Sequence, residues 1–225
     1  MEAKKVKIAV LIGGGGRLEA IHWATQAPDS HAEIALVVSF KRQSPGLEWA
    51  SGQGLKTEYL RWTDFKRESH NRVEYDAALT ALLQAHSIEL VVLAGWGLLL
   101  TRVFLEAFAG RIINVHPALL TDTFQTKVRL YNGHFVPVFR GNDALEEALR
   151  SGVSVTGCTV HYVTRQMDTG PILVKREVRI HPNDTLETLA ARVHRVEDEI
   201  LPLAIENVCA QLQLQANHVD LPKFE

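Results

Sequence analysis

The sequence has little cysteine, no long apolar run and no excess of charge of either sign. Its two cysteines, Cys158 and Cys209, are too few for a disulfide framework and show no metal-ligand spacing, which suits a reducing, cytoplasmic setting. No segment approaches the roughly 20 apolar residues that a membrane helix requires, so no membrane partner is expected. The opening "MEAKKVKIAVLIGGGG" turns from basic to apolar but stops at glycine too soon for a signal-peptide core. A formal net charge of -2 supplies no basic field, so no nucleic-acid partner is expected either. H-E-x-x-H, C-x-x-C and G-x-S-x-G are all missing, and His22, His31, His70, His86 and His218 are scattered, so neither a metal nor a serine nucleophile is expected. These exclusions leave a small-molecule ligand as the default partner.

What is present is a core. Hydrophobic residues make up 46% of 225, enough for a well-packed globular unit. "VKIAVLI" (6–12), "EIALVVSF" (33–40), "ELVVLAG" (89–95) and "RIINVH" (111–116) are apolar, β-branched runs of the kind buried on both faces of a sheet. Helical patterns alternate with them: 18–26, a Pro-started helix at "SPGLEWASGQ", 67–86 with Val73, Ala77, Leu79, Leu82 and Leu83 inward, and a short one holding Phe104, Leu105 and Phe108. "TEYLRW" adds a short strand. Alternation of this kind implies a parallel sheet in a Rossmann-like, three-layer α/β fold. Beyond Gly141, "DALEEALRSG" reads as a helix with a glycine stop. "GCTVHYV" and "GPILVKREVRI" then read as an antiparallel pair with one wetter face. A last helix, capped by Asn183, Asp184 or Thr185, shows the stripe Leu186, Leu189, Val193, Val196 and Ile200. One domain over 1–212 is expected, followed by a polar, loosely held tail over 213–225.

Four positions invite chemistry. Gly13 to Gly16, between a buried strand and a helix, place backbone N–H groups where a phosphate can sit, although a tight turn needs the same glycines. The dinucleotide pattern G-x-G-x-x-G is out of register there, but Lys41 and Arg42 after the second strand would suit a 2′-phosphate, so an NADP-binding protein is an alternative. Asn114 and His116 follow the carboxyl end of a parallel strand, where ligands bind, and side chains at i and i+2 share a face. Pro117 then takes the chain out of the sheet. Asp168, in a loop turned by Gly170 and Pro171, is a turn-former by itself; beside a histidine it would favour the imidazolium and poise a proton donor near neutral pH. Thr159 and His161 also share a face, with a structural role the simpler reading.

Taken in order, "VVLAGW", "GRIINVHPALL", "GCTVHYV", "MDTGPIL" and "RVHRVEDEILP" resemble the folate-dependent formyltransferases, and the likeness is collinear from about residue 6 to residue 210. The resemblance implies a Rossmann-like formyltransferase fold with an antiparallel C-terminal part. It also implies transfer of a formyl group from 10-formyltetrahydrofolate, as co-substrate, to the amine of glycinamide ribonucleotide in purine synthesis, by a monomer or homodimer without metal. Another acceptor amine, such as an amino sugar nucleotide, or hydrolysis of the formylfolate are alternatives. By the same resemblance, Asn114, His116 and Asp168 are catalytic. Arg72, Gly97, Leu98, Leu99, Leu100, Asn114, Val163, Thr164 and Asp168 would contact the folate. Gly14, Gly15, Gly16 and Arg17 would hold the ribose phosphate and Glu197 the nucleotide.

The chain departs from the family pattern at three places. The glycine loop lacks the usual serine and asparagine and is shorter, the folate turn reads "GLLL" without the usual arginine, and "TDTFQTKVRLYNGHFV" (121–136) is inserted after Leu120. Asn-Gly inside the insertion predicts a hairpin. With five large apolar residues, it would pack either over the site as a lid or elsewhere on the surface.

Overall fold

The structure, a computed structural model, describes residues 4–67 and 71–219. Its strands are β1 (Val6–Ile12), β2 (Ala32–Ser39), β3 (Thr57–Tyr59), β4 (Leu90–Ala94), β5 (Ile112–His116), β6 (Lys127–Arg129), β7 (Phe135–Pro137), β8 (Val155–Tyr162) and β9 (Ile172–Arg179). Its helices are α1 (Leu18–Thr25), α2 (Pro45–Gly52), α3 (Trp62–Arg67), α4 (Arg72–Ala85), α5 (Arg102–Ala107), α6 (Ala144–Ser151) and α7 (Leu186–Val219). Seven strands form one sheet in the order β3-β2-β1-β4-β5-β8-β9. The first five are parallel; β8 and β9 are antiparallel to their neighbours. Among the described residues, no helix is long and apolar enough to cross a membrane.

The apolar run of β1 explains the layering. Ile8, Val10 and Ile12 point into a cluster with Leu18 and Ile21 of α1 and Leu189, Val193 and Ile200 of α7, while Ala9 and Leu11 point into another with Tyr75, Leu79 and Leu83 of α4 and Phe104 of α5. Period-two alternation thus feeds two cores, one on each face of the sheet. Each such fully buried aliphatic side chain contributes about 1.5–3 kcal/mol, and Leu11→Ala would cost about 2–5 kcal/mol through the cavity it leaves.

Several expected details shift. The helix expected over 67–86 starts at Arg72, where Asn71 and Glu74 form a reciprocal capping box; residues 68–70 of that expectation lie outside the described residues. Its buried face is Tyr75, Asp76, Leu79, Thr80 and Leu83, so Val73 and Ala77 point outward. The large Tyr75 ring, packed edge-on against Trp62 and Phe65, sets the rotation of the helix. The wetter face expected of the C-terminal pair belongs to β9 alone. Residues Thr156 to His161 of β8 are all buried, since Cys158 and Val160 meet α7 while Thr159 accepts from the Leu120 amide and donates to the Ala118 carbonyl on the other face. Leu186 starts α7 ahead of its packed part and is exposed, whereas Leu189, Val193 and Ile200 are fully buried and Val196 partly so. The helix continues to Val219, past the point where a loose tail was expected. Leu212 packs on the core and Gln213 donates to the Lys4 carbonyl at 2.8 Å. Residues 220–225 of that tail lie outside the described residues.

Candidate active site

The strand order reverses between β1 and β4, and parallel sheets bind ligands at the carboxyl ends of strands near such a reversal. A cavity of about 640 Å³ opens there. Its walls are the turn Gly95–Leu100 after β4, Asn114 and His116 on β5, the segment Gly141–Asp143, and the loop 163–168 after β8.

Asn114 and His116 share a face of β5, as their spacing dictates. The antiparallel register sets His161 directly opposite Asn114, and Asn114 Nδ2 lies 3.3 Å from His161 Nε2. His161 Nδ1 lies 2.9 Å from the Tyr162 carbonyl, which can only accept, so the ring proton sits on Nδ1 and Nε2 accepts from the Asn114 amide. That fixes the amide and leaves its second N–H for the cavity. His116 Nε2 likewise donates to the Phe139 carbonyl at 2.9 Å, which leaves Nδ1 with a lone pair 3.6 Å from Asp168 Oδ2. His161 Nε2 is 3.7 Å from the other carboxylate oxygen. Both separations exceed hydrogen-bond length, as expected for two acceptors facing each other without a shared proton.

Asp168 is buried and has a left-handed backbone, φ 55°. Its carboxylate accepts the Gly141 N–H at 2.8 Å and its carbonyl accepts from Arg140 Nε at 3.2 Å. Burial lowers the pKa of His116 more than Asp168 and the Phe139 carbonyl raise it. Burial lowers that of His161 as well. The expectation that Asp168 poises an imidazolium near neutral pH is therefore corrected: the carboxylate pulls that way, but desolvation outweighs it and the ring is neutral at pH 7.

Of the residues expected to meet the folate, Gly97, Leu98, Leu99, Leu100, Asn114, Val163, Thr164 and Asp168 all line the cavity. Arg72 does not line it. Its Nε donates to the Leu99 carbonyl at 2.9 Å, its Nη2 pairs with buried Asp76 at 3.0 Å, and its guanidinium lies over Trp62 and Tyr75, so it supports the turn 97–100 from behind. Asp76 completes that support by accepting the Thr101 N–H.

The glycine loop, Arg17 and Glu197 lie outside the cavity wall. Gly15, at φ +96°, lets the loop touch Gly46 of α2, and no Cβ fits between them; at Gly14 and Gly16 the space is open. Arg17 Nη1 pairs with Glu197 at 2.7 Å and its Nε lies 2.7 Å from Asp198, so two carboxylates already face its charge. Glu197 is buried, and desolvation raises its pKa against the pull of Arg17. None of residues 121–136 lines the cavity. The insertion forms the expected hairpin about Asn132 and Gly133, and its Val128, Leu130 and Val136 pack on Leu119, Val153 and Val155.

Reading the sequence missed the segment Phe139 to Gly141, whose three residues all bond to His116 or Asp168, and gave His161 no role. The signal available for His161 was its shared face with Thr159 on a strand ending at the site. For Asp76, it was an acid four residues after Arg72 on a buried helix face.

Fold and site together define a Rossmann-like α/β protein with an amide, a neutral imidazole and a carboxylate gathered in the crevice at its strand ends, a set suited to polarising a carbonyl and moving a proton. The formyl transferase family pattern matches residues 6–205, and the chain belongs to that family. Among its relatives, phosphoribosylglycinamide formyltransferase of Bacillus subtilis is 35% identical over 204 residues, covering 90% of this chain and 94% of that one. The trifunctional purine biosynthetic protein adenosine-3 of Homo sapiens is 37% identical over 210 residues, covering 93% of this chain; the chain spans only 19% of that protein's length. The crystal structure of glycinamide ribonucleotide transformylase 1 from Symbiobacterium toebii superimposes with a TM-score of 0.80 at 34% identity, over 92% of this chain and 89% of that one.

Proposed function

We propose that the chain transfers a formyl group from 10-formyltetrahydrofolate to the amine of glycinamide ribonucleotide, as a cytoplasmic monomer or homodimer. The observation that carries this reading is the convergence of Asn114, His116 and Asp168 on one cavity whose two walls are the turn 97–100 and the loop 163–168. The pterin lies between those walls, and Arg72 holds the turn through the Leu99 carbonyl. Gly14, Gly15 and Gly16 offer amide hydrogens to the ribose phosphate. Arg17 adds its charge to that phosphate, and Glu197, paired with Arg17 at 2.7 Å, contacts the rest of the nucleotide.

The amine nitrogen attacks the formyl carbon, a C–N bond forms, and the carbonyl oxygen becomes an oxyanion. The free N–H of Asn114 meets that charge, and one such donor is worth about 3–4 kcal/mol; the positive charge of the His116 ring adds to it once the ring gains a proton. The amine proton passes to the lone pair of His116 Nδ1 and is shared with Asp168, which stands 3.6 Å away as a ready counter-charge. As the bond from carbon to N10 breaks, that proton moves to N10, and formylated product and tetrahydrofolate leave. The test is tetrahydrofolate release from the 10-formyl donor with and without the amine. Release that needs glycinamide ribonucleotide is the expected result; release without it points to hydrolysis, and none at all rejects the reading.

A further inference from the structure

Three consecutive residues after the inserted hairpin touch the catalytic pair, each through a different group. The Phe139 carbonyl accepts from His116 Nε2 at 2.9 Å, the Arg140 guanidinium donates to the Asp168 carbonyl at 3.2 Å, and the Gly141 amide donates to Asp168 Oδ2 at 2.8 Å. The first contact selects the ring tautomer. The other two hold an aspartate whose backbone is left-handed, a conformation that costs a non-glycine residue energy and persists only where its surroundings impose it.

The segment is itself held by the insertion. Arg140 Nη2 reaches the Thr121 hydroxyl at 3.3 Å and the carbonyls of Thr123 at 2.9 Å and Gln125 at 3.2 Å. The Val138 amide donates to the Thr126 carbonyl at 2.9 Å, which ties the exit of the hairpin to its entry. The hairpin is seated on the sheet by its own small core and by the Tyr131 amide donating to Glu177. One guanidinium thus links the start of the insertion to the backbone of Asp168, through a planar fork that an ammonium cannot reproduce.

Resting on the function proposed above, we propose that the insertion 121–136 is a brace for the catalytic pair, and that Arg140 is a positioning residue that transmits it to Asp168 and His116. This gives the extra segment a role in the site without any of its residues lining the cavity.

The test compares Arg140→Ala, Arg140→Lys and Thr121→Val with the parent protein, with melting curves to confirm that each is folded. Arg140→Ala should lower kcat about 10- to 100-fold, the size of effect that sub-ångström misplacement produces, with KM for both substrates nearly unchanged. Arg140→Lys should recover only part of this, Thr121→Val should act in the same direction more weakly, and added guanidinium should partly rescue Arg140→Ala. A second readout needs no substrate. The charged and titratable groups facing His116 are Asp168, Arg140 and His161; burial dominates the lowering of its pKa and the Arg140 charge adds to it, so loss of that charge alone raises the titration in Arg140→Ala. The brace is therefore read in Arg140→Lys, which keeps the charge but not the planar fork: the tautomer ratio seen in the His116 ring ¹⁵N resonances should change. Folded Arg140→Ala with unaltered kcat, or folded Arg140→Lys with an unaltered His116 tautomer ratio, would overturn the brace. If the parent protein shows no amine-dependent transfer, the proposed function fails while the His116 tautomer ratio in Arg140→Lys still decides the brace.

Discussion

Replacing Asn114 by alanine separates catalysis from architecture most cleanly. The side chain has two jobs in the structure: one amide hydrogen goes to His161 Nε2 at 3.3 Å, and the other faces the cavity. If the proposed reaction holds, loss of the second removes one oxyanion donor and should lower kcat about 10²- to 10³-fold, or roughly 2.7–4 kcal/mol of transition-state stabilisation. Loss of the first leaves a buried imidazole acceptor without its partner and costs about 1–3 kcal/mol of stability. The two effects are read by different assays, single-turnover formyl transfer for the first and chemical denaturation for the second. Binding of a folate analogue should be little changed, because the walls 97–100 and 163–168 are untouched. Asn114→Asp sharpens the test: it keeps the shape but sets a negative charge beside both the developing oxyanion and the His161 lone pair, and should be slower than alanine. A folded Asn114→Ala protein whose kcat lies within about threefold of the parent would refute the oxyanion assignment.

Arg72→Ala should lower stability by about 3 kcal/mol, because it strips the partner from Asp76, which is buried, and should raise KM for the folate as the Leu99 turn loosens; denaturation and steady-state kinetics check the two parts. Gly170→Ala should destabilise by at least about 1–3 kcal/mol, seen as a lower melting temperature, because its Cβ would fall on the Tyr162 carbonyl oxygen. The pH dependence follows from two buried histidines whose pKa values are lowered in the folded chain. A depressed pKa means that the unfolded chain binds protons first, so stability is full above the ordinary histidine pKa and is lost as pH falls through the folded values. The histidine part of the midpoint, read as the difference between the parent and His161→Gln, should drop as pH falls below about 6.5, because Asp76, Glu197 and Asp198, whose pKa values burial raises, act the opposite way in both proteins; the acid limb of kcat should lie below the ordinary histidine value, and a difference that rises on acidification refutes the sign.

The fold was legible where local chemistry decides it. Buried parallel strands announce themselves as continuous β-branched runs, and the strand positions of β1, β2, β4 and β5 follow from them. The rotation of α4 was not legible, because Val73 and Ala77, one turn apart, read as apolar as the true face, to which Leu82 belongs beside Leu79 and Leu83. Only the space between Trp62 and Phe65 shows that Tyr75 is the residue that enters. The end of α7 divides at Gln213. Leu212 on the core and the hydrogen bond from Gln213 to Lys4, some two hundred residues earlier, hold the helix to that point, while residues 214–216 beyond it are helical but exposed, as their composition indicates.

The site shows a sharper division. Asn114 and His116 were legible because both sit on one strand and period two brings them together without tertiary information. Asp168 was legible as a residue but its effect was not, since the sign of a pKa shift depends on how much water the fold removes, and that depends on every wall of the cavity. His161 needed the register of an antiparallel pairing, and Arg140, just past the insertion, needed its contact with a loop 28 residues further on. This ordering has a physical cause. A donor on a strand is placed by covalent geometry, but its tautomer, orientation and charge are set by partners that arrive from elsewhere in the chain. Chemistry at Asn114 and His116 therefore depends on residues that no motif around "NVHP" contains, and substitutions at Arg140 or His161 are where that dependence is measurable.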